Sequence, residues 1–359
     1  MKVLLHCIYY PPEIGGLESH VHELARGLVE AGHEVRVVTS RSLPGLPKEE
    51  EMEGVRVHRS WFPSRSPLGW GLHAVASTPR TRRWGKWADI VHAQAFASIP
   101  PVRCAGRPFV ATLHTSHFLT RAESPLWRPI LRWMVRAPDH VLAASTEIAE
   151  VAMALAPGVE VEPVTNGVDT DRFRPVAPTM ETPGPLIVVP RRLFPKNGVE
   201  YFVRAFPAVR ARIPDAEAIL IGDGPERERL EGLAKALGVA EGLHFLGRRP
   251  HDEMPGLLSS AALAVIPSLM EATSVAGLEA MACGLPVVAS RVGGLPEIID
   301  DEVGLLVPPA DPEALAEGIV RLLHDPGDRG TRARERVVHA WSNARLVRRH
   351  LEIYERLVQ

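Results

Sequence analysis

The sequence predicts an α/β protein of two open, parallel-sheet domains, and three observations carry that prediction. Short apolar runs alternate with amphipathic helical patterns from end to end, the grammar of βαβ units whose helices cover both faces of a sheet. The alternation stops near residue 170, where DTDRFRPVAPTMETPGP brings four prolines (Pro175, Pro178, Pro183, Pro185) without periodicity, and then restarts. A chain of 359 residues also exceeds the size of one ordinary core.

The elements follow in order. KVLLHCIYY reads as a buried first strand, ESHVHELARGLVEAG as a helix and EVRVVTS as the second strand. GVRVHRS, DIVHAQA, PFVATLH and HVLAAS supply further strands, which fill a first domain over residues 1–170. Residues 171–185 are expected to be a linker. The second domain, 186–340, opens with PLIVVPRR and the helix GVEYFVRAFPAVRARI. It continues through AEAILIGDG, the helix PERERLEGLAKALG, and strands LHFLG, LAVIPS and PVVAS. Residues 341–359 form a tail whose apolar positions Leu346, Val347, Leu351, Ile353, Tyr354 and Leu357 recur at helical spacing after a Ser342 or Asn343 cap, so the tail packs on something.

Composition narrows the function classes. A hydrophobic fraction of 45%, 23% charged residues and a net charge of −2 describe a soluble globular protein with no global bias toward nucleic acid. Cys7, Cys104 and Cys283 lie far apart with no metal-ligand spacing; they read as reduced core thiols in a cytoplasmic protein. The apolar start runs directly into PPEIGGLESH instead of a cleavage site, and no run of about 18 apolar residues is present.

Parallel-sheet domains bind ligands at the carboxyl ends of their strands, so the expected site is a cleft between the two. Strand LAVIPS ends near Ser268. The next helix starts close to Thr273 or Ser274 and stops before Gly284. Glu271 then lies in the loop and Glu279 one turn inside the helix. Eight helical positions span roughly 12 Å, more than the ~5–9.5 Å that two carboxylates need to act on one glycosidic bond. The pair reads instead as a grip on two ends of an extended ligand, with the amides of Thr273, Ser274 and Val275 offering partial positive charge to a phosphate between them and Gly277 allowing close approach. Two hydroxylated groups flanking a phosphate describe a nucleotide sugar.

EATSVAGLEAMACGLPVVASRVGGLPEI, with Glu271, seven residues and Glu279, resembles the donor-site signature of retaining, family-4 type glycosyltransferases of GT-B fold. YYPPEIGGLESHVHELARGLVEAGHEVRVVT, NGVDTDRFRP, RRLFPKNGVEYFVRAF and IGDGPERERL extend the resemblance over nearly the whole chain. It implies two Rossmann-like domains facing across a cleft, a C-terminal helix crossing back to the first, and a hexosyltransferase that uses a UDP- or GDP-sugar without cofactor or metal. Glu271 would contact donor-sugar hydroxyls and Glu279 the ribose. Where similar enzymes carry Gly-Phe-Gly after the first glutamate, this chain has Ala272, Thr273 and Ser274, which leaves the donor sugar open.

Other motifs fall on the same strand ends. Arg191 and Arg192 close strand IVVPRR and Lys196 follows; cations there suit a diphosphate whose leaving charge grows. Similar enzymes carry one arginine and one lysine here. Counting from Gly198 selects Arg192 and counting from Lys196 selects Arg191, so Arg192 with Lys196 is the expectation and Arg191 the reserve. Gly222 ends strand AEAILIG on the donor side. Gly15 and Gly16 make a tight loop, which the resemblance places near the donor phosphate and acceptor; this loop is not GxGxxG. His114 is implied beside the donor sugar, ahead of His117 and His92, and Asn166 of TNGVD at the cleft border. Asp169-Thr170-Asp171 matches a loose DxD pattern but reads as structural.

Six of seven tryptophans fall between residues 61 and 133, interleaved with arginine in PRTRRWGKW and LWRPILRWMVR. Such segments suit an anionic membrane surface or a lipid-linked acceptor, although amphipathic core helices with solvated arginines have the same pattern. The function read from all this is retaining sugar transfer to an acceptor hydroxyl. A sugar-nucleotide epimerase of the same fold, a non-catalytic sugar-nucleotide-binding protein and, more weakly, an NAD oxidoreductase are the alternatives.

Overall fold

The computed structural model describes every residue except Ile14 and Thr115, and of Ser116 only the backbone. The chain divides into two compact units, Met1–Gly167 with Asn343–Gln359, and Val168–Ser342.

The first unit carries β1 (Lys2–Cys7), β2 (Glu34–Ser40), β3 (Glu49–Met52), β4 (Val55–Ser60), β5 (Ile90–Gln94), β6 (Phe109–Leu113), β7 (His140–Ala143) and β8 (Val161–Pro163). They form one sheet in the order β3-β4-β2-β1-β5-β6-β7-β8, parallel except where β3 pairs antiparallel with β4. Every residue of β5 and β6 is buried, as expected of strands covered on both faces. The polar strand EEEM of β3 has no apolar alternation to mark it, and its place at the sheet edge explains why none is needed.

The second unit carries β9 (Leu186–Val189), β10 (Glu217–Ile221), β11 (Leu243–Gly247), β12 (Leu263–Ile266), β13 (Val287–Ser290) and β14 (Gly304–Val307) in the order β11-β10-β9-β12-β13-β14, all parallel. Successive residues of β9 serve opposite cores: Ile187 and Val189 pack with Phe202 and Phe206, and Leu186 and Val188 with Leu278 and Met281. Period-two alternation puts neighbouring side chains on opposite faces, so a continuous apolar strand needs a core on each.

Residues 171–185, expected as a linker, are built into the second unit. Phe173 is buried there, and the backbone N–H groups of Val176, Thr179 and Met180 donate to the hydroxyls of Ser259 and Ser260 at 2.9–3.1 Å. Prolines remove local periodicity without preventing packing. The C-terminal helix, Asn343–Val358, returns to the first unit, where Val347, Ile353 and Tyr354 join the core of β1, β2 and helix Gly16–Glu30. A Cβ at Gly27 would stand 2.5 Å from Val347, so glycine permits that close approach. Asn343 donates to the Glu23 carbonyl at 3.0 Å, and Arg349 holds Glu162 through two bonds of 2.6 and 2.9 Å.

Both sheets have a switch point, where successive connections leave in opposite directions: between β1 and β5 in the first unit, and between β9 and β12 in the second. Loops diverge there at the carboxyl ends of the strands and leave a crevice for ligand.

Candidate active site

In the second unit the switch point brings together the loop after β9 and the loop after β12. Arg191 and Glu271, eighty residues apart, form an ion pair with side chains only 11% and 16% exposed. Arg191 also donates to Asn197 Oδ1 at 2.9 Å and approaches Ser274 Oγ at 3.5 Å. Asn197 in turn donates to the Arg192 carbonyl at 2.6 Å. Asn197 thus braces the turn that carries both arginines.

Neither the Arg192 nor the Lys196 side chain makes a hydrogen bond in this network. Arg192 is exposed, with its guanidinium 5.7 Å from the Phe194 ring centroid. Lys196 is exposed as a residue, yet its ammonium is partly desolvated. That desolvation, then the neighbouring Arg192, lower its pKa below the ordinary lysine value; Glu271 opposes the shift and Arg191 adds to it. Two cations held close without full neutralisation are a standing attraction for a polyanion.

Ser274 caps the helix Val275–Ala282, its hydroxyl accepting from the Gly277 N–H at 3.1 Å, so the helix starts where its sequence signals predict. Glu271 stands before that N-terminus and Glu279 is buried on its second turn. Glu279 is held by His251 at 2.8 Å, and the His251 ring packs on Phe173 with centroids 4.9 Å apart. His251 was not legible in the sequence: it sits in a polar turn after β11, 28 residues from Glu279, with no local pattern.

Glycines shape these loops more than they line them. Gly198 is left-handed, at φ 64°, and a Cβ there would lie 1.9 Å from the Pro267 carbonyl oxygen. At Gly222, φ 144°, a Cβ would lie 2.3 Å from the Arg191 carbonyl oxygen, so this glycine seats the arginine turn against the end of β10. Asp169 accepts from the N–H groups of Asp171 and Arg172, both at 3.0 Å, as an ordinary Asx turn. No cluster able to hold a metal ion occurs among the described residues.

In the first unit the switch point carries a buried polar cluster. His114, after β6, lies 2.6 Å by Nε2 from Gln94 Oε1 at the end of β5, and its Nδ1 is buried without a partner. Asn166 lies beside it, its amide oxygen also buried and unpartnered. Burial is the main reason the His114 pKa falls to about 3; the nearby His350 adds to this and Asn166 opposes it. His114 is therefore neutral at physiological pH, able to accept a hydrogen bond but not to supply charge. The His20 ring centroid lies 4.6 Å away, tilted, while His92 is held between Tyr354 and Thr112. Of the first-unit candidates, Gly15 precedes helix Gly16–Glu30 in extended conformation, φ 170°, with no side-chain cap. His117 lies by the Trp70 ring, 5.8 Å away.

The tryptophan pattern splits. Trp84 is buried, Trp87 lies under Arg36 at 3.8 Å, and Trp70 donates to Tyr9 at 3.1 Å. Trp61 and Trp133 remain 55% and 48% exposed, and so do Leu68, Leu72 and Val75 of helix Pro67–Gly85 and Ile130 of helix Arg128–Arg136. No helix of the described residues is long and apolar enough to cross a membrane.

Two Rossmann-like sheets in one chain, with the last helix returned to the first, are the architecture of GT-B glycosyltransferases. Sucrose-phosphate synthase from Thermosynechococcus elongatus shares it, with a TM-score of 0.87 at 25% identity over 99% of this chain and 98% of that one. Residues 171–339 match the family described as Glycosyl transferases group 1, and residues 14–172 match Glycosyltransferase Family 4. The chain is 32% identical to glycogen synthase of Mycobacterium tuberculosis, over 93% of its length and 89% of the relative's. It is 31% identical to a GDP-mannose-dependent alpha-(1-6)-phosphatidylinositol monomannoside mannosyltransferase of Mycolicibacterium smegmatis, over 88% of each. The chain belongs to the family-4, group 1 glycosyltransferases. Its activity is that of a hexosyltransferase.

Proposed function

We propose that the protein moves a hexose from a nucleotide diphosphate sugar, UDP- or GDP-linked, to an acceptor hydroxyl with retention of configuration and without metal. The observation that carries this reading is the grouping in the second unit. Two incompletely neutralised cations, Arg192 and Lys196, interact electrostatically with each other, and Lys196 with Glu271, which with Glu279 flanks a capped helix N-terminus. The cations and the amides of Thr273 to Val275 take the diphosphate, Glu279 takes the ribose hydroxyls, and Glu271, aimed by Arg191, takes the sugar. The mannosyltransferase relative, GDP-mannose-dependent by name, supports a nucleotide-sugar donor.

As the glycosidic bond breaks, negative charge grows on the departing diphosphate, and Arg192 with Lys196 stabilises it more than it stabilises the ground state. With Glu271 engaged by Arg191, front-face substitution through an oxocarbenium-like state is favoured over a carboxylate nucleophile. A phosphate oxygen helps take the acceptor proton. His114 accepts a donor-sugar hydroxyl at its bare Nδ1, with Asn166 beside it; Gly15 and Gly16 border the donor phosphate. The test offers nucleotide sugars with and without acceptors and follows products by mass spectrometry. Donor isomerised without any acceptor identifies an epimerase instead, and a covalent sugar on the protein rules out front-face substitution.

The exposed Trp61, Leu68, Leu72, Val75, Ile130 and Trp133, with Arg82, Arg83, Arg128 and Arg132 also exposed, favour peripheral contact of the first unit with an anionic membrane, on its cytoplasmic face, and a lipid-linked acceptor. Failure to bind anionic liposomes at low salt would remove that part of the proposal.

A further inference from the structure

We propose that Gln94 is a positioning residue: it fixes the tautomer of His114, so that His114 meets the sugar with Nδ1 as a bare hydrogen-bond acceptor. The inference rests on the reading of His114 as a donor-sugar contact and adds the residue that prepares it.

The argument starts from an amide with two distinguishable ends. Gln94 Nε2 lies 3.2 Å from His92 Nδ1 and 3.5 Å from His92 Nε2. Both nitrogens of His92 already have hydroxyl partners, Tyr354 Oη at 2.6 Å from Nδ1 and Thr112 Oγ1 at 2.7 Å from Nε2. A point almost equally distant from both ring nitrogens suits an N–H directed at an electron-rich imidazole; an amide oxygen there would be repelled. The amide oxygen therefore faces His114 Nε2 at 2.6 Å. An amide oxygen can only accept, so Nε2 of His114 carries the proton and Nδ1 carries the lone pair. Of the two ring nitrogens, Nδ1 is the one buried without a partner.

The seat of Gln94 is itself fixed from a distant part of the chain. Tyr354 belongs to the C-terminal helix, 262 residues from His92, and both are buried. The order Tyr354, His92, Gln94, His114 runs from that helix to the end of β6, all within the first unit. Titratable groups facing His114 are His20 of helix Gly16–Glu30, His350 of the C-terminal helix and His92 of β5, each held below the ordinary histidine pKa mainly by burial. No carboxylate is among them; the neutral groups at the ring are the Gln94 amide, 2.6 Å from Nε2, and the Asn166 amide beside it, and only Gln94 meets a ring nitrogen as a fixed acceptor.

The test has two arms on the full chain. In the unmodified protein with 15N-labelled histidine, the His114 ring is expected to report a protonated Nε2 and a bare Nδ1 by NMR; a protonated Nδ1 overturns the proposal. In the second arm, Gln94→Met, nearly isosteric, is expected to lower kcat about tenfold while KM for the donor changes less than about threefold. Gln94→Glu places a carboxylate on Nε2–H and favours the imidazolium, whose Nδ1 cannot accept. Its kcat/KM is therefore expected to fall as pH drops below neutrality, a limb that the unmodified enzyme lacks in that range. Thermal unfolding confirms that each variant is folded. Folded Gln94→Met at unmodified kcat, or Gln94→Glu with an unmodified pH profile, sinks the positioning role. His114→Ala is the control: if it too transfers sugar at the unmodified rate, the reading of His114 falls and the proposal with it. If His114→Ala is impaired while the Gln94 variants are not, only the proposal falls.

Discussion

The guanidinium of Arg191 is ion-paired with Glu271, and Arg192, its neighbour in the chain, faces solvent. The pair joins the loop after β9 to the loop after β12, so one arginine ties these loops together while the other stays exposed. Arg191→Ala is expected to strand a mostly buried carboxylate, lowering stability by about 1–3 kcal/mol and impairing transfer. Glu271→Gln keeps the shape but releases Arg191, and should reduce kcat more than nucleotide affinity. Thermal melts and nucleotide titrations of both variants check this; equal, negligible effects would return Glu271 to an ordinary loop acid.

Glu279, buried and bonded to His251, is proposed to hold the ribose hydroxyls. Glu279→Gln is expected to raise the nucleotide Kd roughly tenfold, about 1.4 kcal/mol, with little change in the melting temperature. Calorimetric titration with UDP and GDP measures it.

Arg192→Ala and Lys196→Ala should each lower kcat about 10²–10³-fold, because their charge matters most as the diphosphate departs. Desolvation and the adjoining arginine depress the Lys196 pKa, so its ammonium is lost at a lower pH than that of a free lysine as pH rises. Activity should decline on the alkaline side below the ordinary lysine range, and Lys196→Arg should remove that limb. A pH profile unchanged in Lys196→Arg would separate Lys196 from the reaction.

Gly222→Ala introduces a Cβ against the Arg191 carbonyl at a backbone angle that side chains rarely adopt. Nucleotide affinity is expected to fall with it even though alanine touches no ligand, because the arginine turn must move. Unchanged affinity and stability would show that the turn is slack.

Seven histidines of the first unit are buried and held below their usual pKa, chiefly by desolvation: His114 at about 3, His73 and His350 at about 4, His6, His20 and His92 well below 6.5, and His58 lowered as well. The unfolded chain binds protons on these groups from about pH 6.5 downward while the folded chain does not. Stability is therefore expected to be full above about pH 7 and to fall as pH drops from 6.5 toward 3, by up to about 1.4 kcal/mol per pH unit for each histidine. Urea unfolding at pH 7.5, 6 and 5 tests the slope; a flat profile would mean that these rings charge without cost.

Much of this molecule is written in local pattern. Buried strands such as IVV and LAVI, the Ser274 cap and the amphipathic tail were legible because period-two and period-3.6 spacing, and capping hydroxyls, act on neighbouring residues. The acidic strand Glu49–Met52 was not legible, since an edge strand needs no apolar face, nor was the packing of residues 171–185, since proline erases periodicity. Asn197, His251 and Gln94 escaped for a related reason: their partners lie in other loops or strands.

The sequence by itself determined two parallel sheets, the strand ends where ligand chemistry gathers and the helix that opens between Glu271 and Glu279. Only tertiary structure decided which arginine meets Glu271, what holds Glu279 and which nitrogen of His114 is free. Element type follows from neighbours in the chain, whereas the direction of a loop side chain is set by contacts from residues tens to hundreds of positions away.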